Sequence, residues 1–80
     1  MTNTTKLRDA INRKGLKYKA VAERLGITPY GLQKKIENDN EFKASEVGKL
    51  AEMLDLDFHE KESIFFAREV DLKSTQKQTS

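Results

Sequence analysis

The sequence predicts an all-α domain of four to five short helices. Three observations carry this: apolar residues recur at three- and four-residue spacing, glycines and capping residues punctuate them, and the chain is too short for more than one small core. With 36% hydrophobic and 35% charged residues in 80, the chain is globular but polar for its size. A single domain is expected over residues 1–73, followed by a polar tail, 74–80 ("STQKQTS"), without apolar residues and expected to be disordered.

The first helix is expected over about Thr5 to Lys14, with Leu7, Ala10 and Ile11 on one face and Gly15 to end it. The second spans Lys19 to Leu25, with Val21, Ala22 and Leu25 inward and Gly26 as its C-terminal cap. Thr28 is a good N-cap for the third, and Pro29 fits the first helical position, where a missing N–H is harmless. Ile27 before that cap and Leu32 four residues after it make a hydrophobic staple, and Leu32 and Ile36 share the buried face. "NDNE", Asn38 to Glu41, reads as a loop. The fourth helix runs from Ser45, its expected cap, to Leu54. Asp57 caps a short fifth, Phe58 to about Ile64, in which Phe58 and Ile64 close the core.

Beyond it, Phe66, Arg68, Val70 and Leu72 alternate as in a strand. Two readings stand: a short C-terminal β-strand that pairs with a second copy, or a tail lying on its own core. On the first, Phe65, Phe66, Val70 and Leu72 form the dimerisation segment, residues 65–73.

Charge is unevenly distributed although the net is only +2. Residues 1–35 hold nine basic and two acidic side chains, +7, and residues 36–80 hold six and eleven, −5. That predicts a basic face suited to a polyanion and an acidic one that avoids it, against the plainer reading of solvated helix surface. No cysteine is present, which points to a reducing cytosol and excludes thiolate chemistry. The N-terminal residues "MTNTTKLRDAINRK" lack an apolar run, so neither signal peptide nor membrane span is expected, and the location is read as cytoplasmic. His59 is the only histidine and reads as a surface residue in a helix's first turn, so no imidazole metal site is expected. Asp55, Asp57, Glu60 and Glu62 read as a solvated helix start. No catalytic grouping stands out, so no enzyme and no cofactor are expected.

The stretch "KAVAERLGITPYGLQKKIEN" carries the functional signal. Two helices crossing over a short turn need a small residue at the crossing, here Ala22, and a turn residue free to take positive φ, here Gly26. An apolar plug and a capped helix follow. The combination fits a helix-turn-helix; a purely structural helical hairpin shares it. With Leu32 and Ile36 inward, Pro29, Tyr30, Gln33 and Lys34 face outward near the helix start, the part of a recognition helix that reaches base edges. Gln33 can pair bidentately with adenine, Lys34 can donate to guanine or a phosphate, and Tyr30 can rest on a thymine methyl. Gly31 costs the helix about 1 kcal/mol relative to alanine, which points to a close approach to another backbone or to DNA. Lys17, Lys19, Thr28, Lys35 and, more weakly, Asn38 are the phosphate contacts, with plain solubility the competing role for each lysine.

"YKAVAERLGITPYGLQKKI" followed by "SEVGKLAEMLDL" resembles the phage Cro/repressor-type helix-turn-helix family, the λ-repressor-like fold, over roughly residues 5–58. The tail "IFFAREVDLKST" is similar to that of small Cro-like regulators from temperate phages and prophages of Gram-positive bacteria. The resemblance implies a dimeric regulator, a repressor that binds a pseudo-palindromic double-stranded DNA operator in the bacterial host, with bases read by Pro29, Tyr30, Gln33 and Lys34. Pro29 departs from the family in offering no hydrogen bond. The phosphate-clamping glutamine or threonine that members often carry has no evident counterpart here, and Tyr18 or Lys19 is expected to serve instead. Two other functions are weighed: a protein-interaction module acting on a separate partner repressor through its acidic half, and an antitoxin whose tail binds a toxin.

Overall fold

Five helices form in a computed structural model that describes residues 1–67: α1 (Thr4–Arg13), α2 (Tyr18–Leu25), α3 (Pro29–Ile36), α4 (Ala44–Met53) and α5 (Phe58–Phe65). No strand occurs among the described residues. α2 packs on α3 and α4, and α1 packs on α3 and α5. Their apolar stripes meet in one core, where Leu7, Ile11, Val21, Leu32, Ile36 and Leu50 are fully buried. Among the described residues no helix is long and apolar enough to cross a membrane.

Helices α1 to α4 end alike. In each, a residue in the left-handed region follows the helix: Gly15, Gly26, Asn38 and Asp55, with φ of 69, 75, 67 and 57°. The next N–H then reaches back five residues, Leu16 to Ile11, Ile27 to Ala22, Asp39 to Lys34 and Leu56 to Ala51, at 2.9 to 3.3 Å. This Schellman closure satisfies carbonyls the helix leaves open. After three of the ends it also turns an apolar side chain, Leu16, Ile27 or Leu56, back against the core.

Three helix starts differ from expectation, for local reasons. α1 begins at Thr4 because the Asn3 side chain accepts the Lys6 N–H at 3.1 Å. α2 begins at Tyr18, after Lys17 in extended geometry and with no side-chain cap. α4 begins at Ala44, and Ser45 is not its cap: the Glu46 carboxylate takes the Lys43 N–H at 2.8 Å. A lysine side chain cannot accept, so only this half of a reciprocal capping pair forms. α5 has both halves, Asp57 with the Glu60 N–H at 2.8 Å and Glu60 with the Asp57 N–H at 3.2 Å.

Phe58 does not close the core; it is 67% exposed. Six residues separate it from Ile64, about 240° around a helix, so the two cannot share a face. Ile64 and Phe65 close the core instead, and the Phe65 ring meets Phe42 edge-on at 5.6 Å. The expected strand therefore does not begin at Phe65, which ends α5, nor at Phe66, which caps it. Its remainder, with Val70 and Leu72, and the tail 74–80 lie outside the described residues.

The first four residues tie two helix ends together. The Thr2 N–H and carbonyl both pair with the Asn38 side-chain amide at 2.8 Å, Asn3 N–H donates to the Ile64 carbonyl, and the Thr4 hydroxyl donates to the Ile36 carbonyl. Thr2 is buried by this clip.

Candidate nucleic-acid interface

Helices α2 and α3 are joined by three residues, Gly26, Ile27 and Thr28. Ala22 is fully buried in the core, and Ile27 is half-buried against it. Thr28 Oγ1 accepts the Gly31 N–H at 2.9 Å, and Pro29 takes the first helical position. α3 is thus pinned by a cap at its start, by Leu32 and Ile36 beneath, and by the Asn38–Thr2 clip at its end.

Fixing Leu32 and Ile36 inward decides the rest of α3. At 100° per residue, Tyr30, Gln33, Lys34 and Glu37 fall within about 100° of arc on the far side. Tyr30 is 69% exposed, and Pro29 and Gln33 are also exposed. Pro29 sits about 40° off that arc and is exposed through its place at the helix start. Lys34 is half-buried: its Nζ lies 5.5 Å from the Tyr30 ring centroid and 3.7 Å from Asp39 Oδ2. The four residues expected to reach bases are therefore presented on one exposed helix, with Lys34 partly engaged by its neighbours.

Of the expected phosphate contacts, Lys17 and Lys19 are exposed at the start of α2 and form no ion pair among the described residues. Tyr18 beside them is half-buried and packs on the core. Thr28 is exposed, its oxygen engaged in the cap. Two of the expected contacts are engaged within the fold. Lys35 turns inward, because it lies about 60° from Leu32 and so borders the buried stripe. Its Nζ is 2.6 Å from Glu46 Oε1, and its side chain is 13% exposed. Asn38 spends both ends of its amide on Thr2. Lys35 is thereby committed to Glu46, while Asn38 is exposed and one N–H of its amide lies outside the clip. At Gly31 a Cβ would sit 3.2 Å from Thr28 Oγ1, so within the described residues the close approach is to the helix's own cap and not to another backbone.

Burial pushes the Glu46 carboxyl upward, but the Lys35 hydrogen bond, the Lys43 N–H and the positive charges of both lysines outweigh it and hold the group below its ordinary value. Among the described residues this pair is one of five, and all five join a residue of 1–35 to one of 36–67: Arg8–Glu37, Arg13–Glu60, Lys14–Asp55, Lys34–Asp39 and Lys35–Glu46. The two oppositely charged halves thus interlock across the fold instead of lying apart as a wholly basic and a wholly acidic face. Among the cations of 1–35, Lys6, Lys17, Lys19 and Arg24 stay outside these pairs.

Sequence reasoning missed Arg8 and Glu37. The Glu37 Oε2 accepts from Gln33 Nε2 at 3.4 Å and from Arg8 Nη2 on α1 at 3.2 Å. The four-residue spacing of Gln33 and Glu37 was a readable signal; the Arg8 contact, twenty-nine residues away, was not. Of the expected dimerisation residues, Phe65 is buried in its own core, while Phe66 is 54% exposed. His59 is exposed, its ring edge-on to Phe58 at 5.9 Å. Asp55, Asp57 and Glu60 are used in ion pairs and the α5 cap. No cluster among the described residues has the make-up to hold a metal ion.

Comparison with known protein families, with curated proteins and with solved structures gave no match.

Proposed function

We propose that this chain is a sequence-specific double-stranded DNA-binding regulator of Cro type, with α2 and α3 forming a λ-repressor-like helix-turn-helix. It has no enzymatic role. α3 enters the major groove; Tyr30 and Gln33 meet base edges, with Pro29 and Lys34 beside them, while Lys17, Lys19 and Thr28 meet phosphates. The protein acts in the cytoplasm of a bacterial host as a repressor at a phage or prophage operator.

One observation carries this reading. α3 is short, exposed and polar on its outer arc, yet fixed at its start, underside and end. A surface helix held so firmly while displaying Tyr30 and Gln33 is suited to rigid readout. Two copies, with their α3 helices roughly 34 Å apart, would meet successive major-groove faces. The exposed Phe66 and Met1, which border a groove of about 160 Å³, support self-association there.

The test is selection from a random duplex pool by the full chain, followed by affinity for the selected duplex across a salt series. A shared sequence with two-fold symmetry and salt-sensitive binding supports the reading. Recovery of no shared sequence would count against it. The same exposed apolar pair, Phe66 and Met1, favours a second reading, a module that binds a separate repressor protein. It predicts selection of a duplex only in that partner's presence.

A further inference from the structure

Glu37 lies where an acid is least welcome if α3 enters a groove lined by phosphates. It shares the outward arc of Tyr30 and Gln33, and its side chain is 40% exposed. An uncompensated carboxylate there would be repelled by DNA. It is compensated: Arg8 reaches across from α1 and places Nη2 3.2 Å from Glu37 Oε2. The same oxygen faces Gln33 Nε2 at 3.4 Å. Arg8, Glu37 and Gln33 thus form a chain of contacts that begins on the scaffold and ends on the residue best suited to read adenine.

We propose that Glu37 is a positioning and specificity-determining residue: anchored by Arg8, it orients the Gln33 side-chain amide and so fixes which base Gln33 accepts. The inference rests on the DNA-binding reading. A glutamine amide has two N–H donors and one carbonyl acceptor. Adenine uses one of each, donating from N6 to the amide oxygen and accepting at N7 from the amide nitrogen. The second N–H remains, and it is the one Glu37 holds. A carboxylate cannot donate, so it admits only the amide nitrogen on its side and turns the Gln33 oxygen away toward the base. The reversed amide, which would suit another base, places oxygen against oxygen and is excluded. Arg8 keeps the carboxylate in place and cancels its charge. Without Glu37, Gln33 flips freely, and discrimination falls while overall DNA attraction does not.

The experiment uses the full chain and the random duplex pool, with wild type, Gln33→Ala, Glu37→Ala, Glu37→Gln, Arg8→Met and the double variant Gln33→Ala/Glu37→Ala. Thermal unfolding confirms that each is folded. Arg8→Met leaves α3 untouched, so it serves if Glu37→Ala does not fold. A bidentate glutamine–adenine pair gives roughly 5- to 150-fold discrimination at one base pair. Gln33→Ala identifies that base pair. Glu37→Ala and Arg8→Met are expected to lower discrimination there at least about 3-fold; affinity for unselected duplex should hold or rise in Glu37→Ala and fall in Arg8→Met, which strands the carboxylate, by a factor common to all sequences. The double variant should be no worse than Gln33→Ala alone, and Glu37→Gln, which keeps an acceptor oxygen, should retain more discrimination than Glu37→Ala. Unchanged discrimination in both Glu37→Ala and Arg8→Met overturns the proposal. So does loss at a different base pair, which would make Glu37 a reader in its own right, for example of a cytosine amine. If wild type selects no sequence at all, the DNA-binding reading fails and this one with it.

Discussion

Lys35 Nζ lies 2.6 Å from Glu46 Oε1 and ties the last turn of α3 to the first turn of α4. Both side chains are largely buried, at 13% and 7% exposure. The same oxygen also takes the Lys43 N–H, so one carboxylate serves as ion-pair partner and helix cap. A buried ion pair is nevertheless weak evidence of stability. Desolvation offsets much of the attraction, while removing one partner strands the other.

Single and paired substitutions should therefore diverge. Lys35→Met or Glu46→Leu alone should each cost about 2 kcal/mol, less than the ~3–5 kcal/mol of a fully buried pair because both side chains keep some exposure to solvent. The pair Lys35→Met/Glu46→Leu should recover the part of that loss that comes from a stranded charge, leaving the loss of the Lys43 N–H cap. Urea unfolding measures this, and additive losses in the double variant would reject the coupling.

The acid limb of stability should carry the mark of Glu46. Its carboxyl titrates below its ordinary 4.5 in the folded chain. A depressed folded value means the unfolded state binds the proton first as pH falls. The stabilisation is therefore complete above 4.5 and is lost as pH drops below it, through the folded value. Glu46→Gln should flatten that part of the curve while leaving the shape above pH ~6 unchanged. Thermal unfolding from pH 7 to 3 tests it; identical slopes would assign the acid sensitivity to other carboxylates.

Much of the scaffold was legible because its signals are local. Gly15, Gly26, Thr28-Pro29 and Asp57 each mark a helix boundary through conformations fixed within a few residues, and the stripes at Leu7–Ile11 and Leu32–Ile36 follow helical period. What failed required knowledge of partners far along the chain. Lys35 and Lys34 are adjacent and chemically alike, yet only Lys35 borders the buried stripe and meets an acid eleven residues on. Asn38 looked like a loop residue with a free amide; its partner is Thr2, thirty-six residues earlier. Of the expected dimerisation segment, Phe65 is drawn into α5 by burial against Phe42, while Val70 and Leu72 lie outside the described residues. Charge counts misled for the same reason, since ion pairing across the fold cancels much of a segregation visible only along the chain.

Asn38 should behave as two contributions that separate by substitution. Its side chain holds both backbone groups of Thr2, and its backbone is left-handed at φ 67°. Asn38→Gly removes only the amide, an expected loss of about 1–2 kcal/mol. Asn38→Ala also forces a Cβ into that conformation, adding roughly 1 kcal/mol. Deleting residues 1–3 should cost at least as much as Asn38→Gly, since it removes the same clip together with the Asn3 cap. Urea unfolding decides, and equal losses for alanine and glycine would show that the backbone conformation contributes nothing.

The ion-pair pattern makes a sharper prediction for DNA affinity than the lysine count does. Lys17 and Lys19 stand at the start of α2 outside the ion pairs, whereas Lys35 is committed to Glu46. A lysine that neutralises a phosphate releases about one counterion, so its loss lowers the slope of log affinity against log salt by about 0.9. Lys17→Ala and Lys19→Ala should each reduce the slope by about that amount on any duplex, selected or not. The paired variant Lys35→Met/Glu46→Leu, which keeps net charge and core packing, should leave the slope unchanged. Fluorescence anisotropy with an unselected duplex over a fivefold salt range measures all three. A lowered slope in the Lys35 variant together with no change at Lys17 and Lys19 would reverse the assignment: the DNA backbone would then run past the α3–α4 junction, and the start of α2 would face solvent.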